Sequence, residues 1–154
     1  MSTPGSALGG QRELTATWTG SLRTPILWGV VVGILQAGLP VGMWWLDSVL
    51  VWAISLVVIA SIYVGFAVAD GRPIVIAVEV GVALGFVILA AIGITTSPWL
   101  VVIGLAGHGL KDLWQHRTQF VSTTRWWPPF CLVVDFVCAA VIAVLLLTGV
   151  DFNG

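Results

Sequence analysis

Two long apolar runs joined by a short polar turn occupy residues 48–95, which read SVLVWAISLVVIASIYVGFAVADGRPIVIAVEVGVALGFVILAAIGIT. The turn is Asp70-Gly71-Arg72-Pro73, and it separates the apolar segments 48–69 and 73–95. Each segment is long enough to cross the hydrocarbon core of a bilayer, which takes about 20 apolar residues in a helix. Neither segment alternates apolar and polar residues as a barrel strand does, so the stretch predicts a transmembrane helical hairpin.

The composition of the whole chain is typical of an integral membrane protein. Of the 154 residues, 58% are hydrophobic and 8% are charged, and the mean hydropathy is +1.06. Soluble domains carry about 25% charged residues, so this chain has too little charge to cover a water-facing surface. Two cysteines and no repeat period exclude disulfide-rich scaffolds and repeat arrays, and no basic run is present that would bind a nucleic acid.

The same criteria predict an all-α integral membrane bundle of five transmembrane helices. The predicted spans are residues 25–45, 48–69, 73–95, 98–116 and 128–149. They form a transmembrane domain over 23–150, preceded by a flexible tail at 1–22 and followed by a short tail at 151–154. Pro40 interrupts the first span and either kinks that helix or ends it early, which leaves a half-span or re-entrant segment as the alternative.

The distribution of charge predicts the orientation of these spans. With five spans, Asp47 and Asp151 fall on the side of the C-terminus. All the arginines fall on the side of the N-terminus: Arg12, Arg23, Arg72, Arg117 and Arg125. Basic residues mark the cytoplasmic side, so we expect a cytoplasmic N-terminus and an outside C-terminus in the plasma membrane. Most of the nine tryptophans lie near span ends, as membrane anchors do, and the arginine, alanine, valine and glycine usage indicates a bacterial source.

The fourth predicted span carries a stripe of polar residues. His108, Lys111, Asp112, Gln115 and His116 follow one another at steps of three and four, and on a helix they lie within about 140° of arc. Ionisable groups inside a bilayer mark function by default, so we expect this stripe to face the bundle interior or a water-filled cavity.

Other spans place polar residues at the same depth, in the cytoplasmic half of the bilayer. Glu79 and Asp135 lie about 9–10 Å from the cytoplasmic ends of their spans, and Tyr63 lies at a similar depth. We therefore expect the carboxylates of Glu79, Asp112 and Asp135 to meet near His108 or Lys111. The candidate catalytic residues are His108, Asp112, Asp135 and Glu79.

The same set suggests a divalent metal site. The candidate ligands are His108, Asp112, His116 and Asp135, since imidazole and carboxylate groups bind such ions. The two histidines are about 12 Å apart along a straight helix, so one ion would take a His–Asp pair with ligands from other helices, or two sites would share Asp112. Cys131 and Cys138 share one helix face with Asp135, so they either complete a mixed site or act as small apolar filler.

Three functions fit these features. The leading hypothesis is a membrane-embedded, metal-dependent or metal-free enzyme that acts on a lipid- or isoprenoid-like substrate, whose tail stays in the bilayer while its head reaches the polar layer. The alternatives are a proton-coupled small transporter that works as an oligomer, and a non-catalytic membrane subunit or assembly factor. In these readings the partners are the lipid bilayer, a hydrophobic small molecule, and a second copy or another membrane subunit. A purely structural reading also stays open, in which the cluster is the solvated end of a short span and its carboxylates pair with Lys111 or Arg125.

The charge distribution gives a direct test of orientation. A reporter enzyme that is active only outside the cytoplasm is expected to be active when fused after Gly154 and silent when fused after Arg72, because basic loops stay inside. The opposite pattern in enzyme assays on whole cells would overturn both the orientation and the cytoplasmic depth of the polar layer.

Overall fold

The computed structural model describes residues 22–122 and 125–149, and all the regular secondary structure in these ranges is helical. The helices are α1 (Leu22–Ala37), α2 (Leu39–Gly42), α3 (Ser48–Asp70), α4 (Pro73–Thr96), α5 (Trp99–Thr118) and α6 (Trp127–Thr148). The predicted tails at 1–22 and 151–154 lie outside the described residues, except for Leu22 at the start of α1.

Three of the helices, α3, α4 and α6, are long and apolar enough to cross a membrane. They match the predicted spans 48–69, 73–95 and 128–149 closely. The other two predicted spans do not meet that standard: α1 is shorter than expected, and the second half of α5 carries the polar stripe that lowers its hydropathy. The chain is therefore an all-helical, membrane-type protein with at least three spanning helices by length and composition.

The first predicted span, 25–45, is divided in two. Helix α1 ends at Ala37, a turn follows at Gly38, and Pro40 lies in the first turn of α2, so the early-ending alternative is the one observed. The reason is that Pro40 has no N–H to continue the helix. The N–H of Val41 bonds the Gly38 carbonyl, and the Ala37 carbonyl accepts a hydrogen bond of 3.0 Å from the Trp52 indole N–H. Trp52 is therefore buried between helices and does not anchor the protein at the membrane surface.

The early end of α1 leaves an apolar groove between α1–α2 and α3. Its cavity volume is about 500 Å³, and its walls include Val32, Leu39, Met43, Ile54 and Val58. These residues belong to the half of the bundle opposite to the Asp70–Arg72 turn, so the two halves differ in polarity.

The turn between α3 and α4 is as predicted from its residues. Gly71 adopts a left-handed conformation with φ 79°, which ends α3, and Pro73 occupies the first turn of α4. The Arg72 guanidinium bonds Asp70 and also donates a hydrogen bond of 2.6 Å to the Phe120 carbonyl in the α5–α6 loop. This bond to the Asp70 carboxylate raises the pKa of Arg72. We call this end of the molecule the Arg72 end; α4 and α6 begin there, and α3 and α5 end there.

Helix packing depends on close approach at a few glycines. The most extensive contacts join α5 to α6 and α3 to α4, and α5 also contacts α4 and α3. Helix α1 lies against α6 through Gly29 and Gly33. A Cβ added at Gly33 would lie 2.9 Å from the Val134 carbonyl oxygen. In contrast, a Cβ at Gly81 or Gly85 on α4 would meet nothing within 4 Å.

These contacts predict that a glycine-to-alanine substitution changes the stability of the protein differently at positions 33 and 85. Gly33→Ala is expected to lower the free energy of unfolding by about 1–3 kcal/mol, because the added methyl group forces α1 away from α6. Gly85→Ala is the matched control and should leave stability unchanged or slightly raised, because its methyl group enters open space and alanine favours the helix. Unfolding in detergent measures both, and equal effects would contradict the close α1–α6 contact.

Candidate functional site

The polar stripe of α5 faces the interior of the bundle. His108, Asp112 and Gln115 are each 0% exposed, whereas Leu110 and Trp114 on the other side of the helix are exposed. This division follows from the 3.6-residue period, which places steps of three and four on one face. The inward-facing stripe predicted from the sequence is confirmed at these three residues.

His108 joins α5 to α6. Its Nδ1 atom lies 2.8 Å from Asp135 Oδ2 and 3.5 Å from Asp112 Oδ2. The imidazole therefore lies between a carboxylate of its own helix and one of the neighbouring helix. Its ring is also in contact with Phe86 of α4, in an edge-to-face arrangement with centroids 5.1 Å apart, and with Tyr63 of α3 at 5.8 Å.

A glycine beside His108 permits this contact. A Cβ added at Gly109 would lie 3.0 Å from the Phe136 ring and 3.4 Å from the Asp135 Cβ. Because position 109 has no side chain, the α6 backbone can approach until the Asp135 carboxylate reaches the His108 ring.

A second contact joins α4 to α5. Lys111 Nζ donates a hydrogen bond of 2.6 Å to Glu79 Oε2 and lies 3.2 Å from the centroid of the Tyr63 ring. Glu79 and Tyr63 are fully buried, whereas 12% of the Lys111 side chain is exposed. Lys111 thus neutralises a buried carboxylate and connects three helices at once through an ion pair and a cation–π contact.

Several buried polar atoms of this cluster have no hydrogen-bond partner among the described residues. They include both carboxylate oxygens of Asp112, Oδ1 of Asp135, Nε2 of His108, Oε1 of Glu79 and the Tyr63 hydroxyl. The Tyr63 hydroxyl and the Cys131 thiol both lie beside the Asp112 carboxylate. Buried polar atoms are normally paired, so a concentration of unpaired nitrogen and oxygen atoms points to binding of a further ligand or proton by this group.

The Arg72 end of the bundle is closed over the cluster by the α5–α6 loop. Gln115 Nε2 donates a hydrogen bond to the Val121 carbonyl at 3.2 Å, and Asp70 accepts bonds from both the backbone N–H and the hydroxyl of Ser122. Beneath the loop, the side chain of Val121 packs with those of Tyr63 and Val75 in a small apolar core. This core covers the cluster at the Arg72 end.

The structure brings together most of the residues singled out from the sequence. His108, Asp112 and Asp135 form one group, and Glu79 joins the network through Lys111 rather than through His108. The expected contacts of the three carboxylates are therefore confirmed, whereas their catalytic or ligand roles stay predictions.

The group of possible ligands in the structure differs from the predicted set at two residues, His116 and Cys131. His116 is not part of the group, because it lies two turns from His108 on α5, about 12 Å along the axis towards the Arg72 end. Cys131, for which the sequence left both a mixed metal site and apolar filler open, is in the group: a ligand atom from each of His108, Asp112, Cys131 and Asp135 lies within 4.8 Å of the others. The sequence feature that indicated this was the position of Cys131 one turn before Asp135, on the same face of the helix.

Comparison with protein-family models, with curated proteins and with solved structures finds no match to this chain.

The Glu79–Lys111 ion pair predicts that the stability of the folded protein depends strongly on the positive charge of Lys111. Lys111→Met is expected to lower the free energy of unfolding by about 3–5 kcal/mol, because the Glu79 carboxylate is left buried without its counter-charge. The double variant Lys111→Met/Glu79→Gln buries no unpaired charge and should recover most of the loss. Denaturation in detergent measures the three proteins, and a double variant no more stable than the single one would contradict the ion pair.

Proposed function

We propose that this chain is a five-span bacterial plasma-membrane protein with a cytoplasmic N-terminus. We count α5 as a span because the polar residues that lower its hydropathy, His108, Asp112 and Gln115, are all buried against protein. The face that α5 turns outward carries Ile103 and Leu110, which suit lipid. Arg72 at the Arg72 end supports the cytoplasmic assignment of that end.

We further propose that the protein is a membrane-embedded enzyme acting on the polar head of a lipid- or isoprenoid-like substrate. The observation that carries this proposal is the burial of His108 between the carboxylates of Asp112 and Asp135. A carboxylate that accepts the Nδ1 proton of an imidazole orients the ring and stabilises its charged form, which is the arrangement used in general acid–base catalysis. The cluster lies on the cytoplasmic side of the bilayer centre, at a depth that the head of a lipid-like molecule can reach.

Access to the cluster supports a substrate that comes from the bilayer. The apolar core of Tyr63, Val75 and Val121 and the α5–α6 loop cover the cluster from the aqueous side. Lys111 is the partly exposed member of the network, and it lies where α4 meets α5. A head group entering between these helices meets Lys111 and Glu79 first and the His108 group behind them, so the pair is assigned to positioning and His108, Asp112 and Asp135 to the chemistry.

Complete burial of the cluster favours a second candidate function, that of a non-catalytic membrane subunit. His108, Asp112 and Asp135 have no exposed surface, and a set of paired polar groups also holds helices together. In that case replacing any of them affects folding and function equally.

The two functions are distinguished by a substitution that keeps the contacts of His108. His108→Gln retains a hydrogen-bond donor towards Asp135 but cannot transfer a proton, so an enzyme should fold normally and lose activity by about 10²–10⁴-fold. The readout is mass spectrometry of lipid extracts from cells with the wild-type protein, the variant or an empty vector, together with the folded yield in detergent. His116→Gln is the matched control outside the group and should have a much smaller effect.

Each result of this comparison decides the matter. A lipid species that changes with the wild-type protein and not with folded His108→Gln supports the enzyme. No species that changes, or a full change with His108→Gln, overturns it. Parallel loss of folded yield and lipid change would assign His108 to the structure and favour the subunit.

A further inference from the structure

We propose that the side chains of His108, Asp112, Cys131 and Asp135 form a binding site for one divalent transition-metal ion, with zinc as the best fit. One ligand atom from each lies within 4.8 Å of the others, and all four residues are buried. Four ligands at about 2.0–2.3 Å from a tetrahedral ion are about 3.3–3.8 Å apart, so movements of about 1 Å would close the group around an ion.

The register of α5 against α6 creates this group. His108 and Asp112 are one turn apart on α5, and Cys131 and Asp135 are one turn apart on α6. The helices run antiparallel, so His108 lies opposite Asp135 and Asp112 lies beside Cys131. Two helices thus provide two ligands each at one level, which is a common way to build a metal site in a helix bundle.

An independent observation points to a cation in the group. Both oxygens of Asp112 and one oxygen of Asp135 have no hydrogen-bond partner among the described residues, although both side chains are completely buried. Lys111, the nearby ammonium group, is already paired with Glu79 at 2.6 Å. The other polar groups beside Asp112, the Tyr63 hydroxyl and the Cys131 thiol, carry no positive charge. The two carboxylates therefore share one imidazole as the only basic group in contact with them among the described residues, and a divalent ion would supply the missing charge.

The donor atoms select the kind of ion. One imidazole nitrogen, one sulfur and two carboxylate oxygens suit zinc, which accepts all three donor types in four-coordinate sites. Calcium and magnesium require oxygen ligands throughout, which a thiol and an imidazole do not provide. A copper(I) site would call for more than one soft sulfur donor.

His108 Nδ1 lies 2.8 Å from Asp135 Oδ2, and a proton shared between these two atoms would be released if they bound the ion instead. This inference rests on the proposed function for what the ion does: to polarise the head group of the substrate, the ion would keep three of the four side chains and accept the head group at the fourth position. Binding itself is a separate property and is measured separately.

The test begins with the full-length wild-type protein purified in detergent. Elemental analysis is expected to find about one zinc per chain. After removal by a chelator, cobalt(II) should bind in its place and show the absorption band of sulfur-to-cobalt charge transfer, which only a cysteine ligand produces. Folded wild-type protein that binds neither zinc nor cobalt would overturn the proposal.

Two matched substitutions locate the site. Cys131→Ala should abolish the charge-transfer band and lower zinc affinity by at least about tenfold. Cys138→Ala removes the other buried cysteine, which lies outside the group, and should retain both the band and the zinc. Retention of the band in Cys131→Ala, or its loss in folded Cys138→Ala, would show that the site is elsewhere. Bound zinc without any lipid change would leave the metal site standing and overturn the enzyme, and a lipid change without zinc would do the reverse.

Discussion

An ionisable side chain in the apolar interior of a helix bundle has to find its partner within the protein, and this constraint organises the structure. An unpaired buried carboxylate costs several kcal/mol. Glu79 on α4 therefore pairs with Lys111, and Asp135 on α6 pairs with His108. Both partners, Lys111 and His108, belong to α5, so this helix connects α4 and α6.

Small residues and aromatic rings surround these two pairs and allow them to form. Gly109 permits α6 to approach until Asp135 reaches His108, and Gly104 accommodates Leu56 of α3 and Leu89 of α4. Phe86 and Tyr63 cover the imidazole with their rings. Close backbone approach at glycines and aromatic contacts at the rings both exclude water, which strengthens the electrostatic interactions inside.

The two halves of the bundle consequently differ in polarity. The half towards the Arg72 end contains the polar network and is closed by the contacts of Asp70 and Arg72 with the α5–α6 loop. The opposite half contains the apolar groove beside α3, which exists because α1 ends at Ala37. A molecule with a polar head and an apolar tail matches this division better than a fully water-soluble one, which is why the enzyme proposal specifies a lipid-like substrate.

The sequence by itself determined the class of the protein, the three long apolar helices α3, α4 and α6, and the inward face of α5. These features depend on composition and on the 3.6-residue period, which are local properties of the chain. It also indicated the shared depth of Glu79, Asp112 and Asp135, because depth follows from counting residues from a span end.

Only the tertiary structure decided which polar residues meet. The preference for Lys111 as the partner of Glu79 and the inclusion of Cys131 both depend on the rotation and register of one helix against another, whereas the separation of His116 from His108 follows from their spacing on α5 alone. The burial of Trp52 depends likewise on where α1 ends. Rotation and register are set by side-chain packing between segments distant in the sequence, and no periodicity within a single helix encodes them.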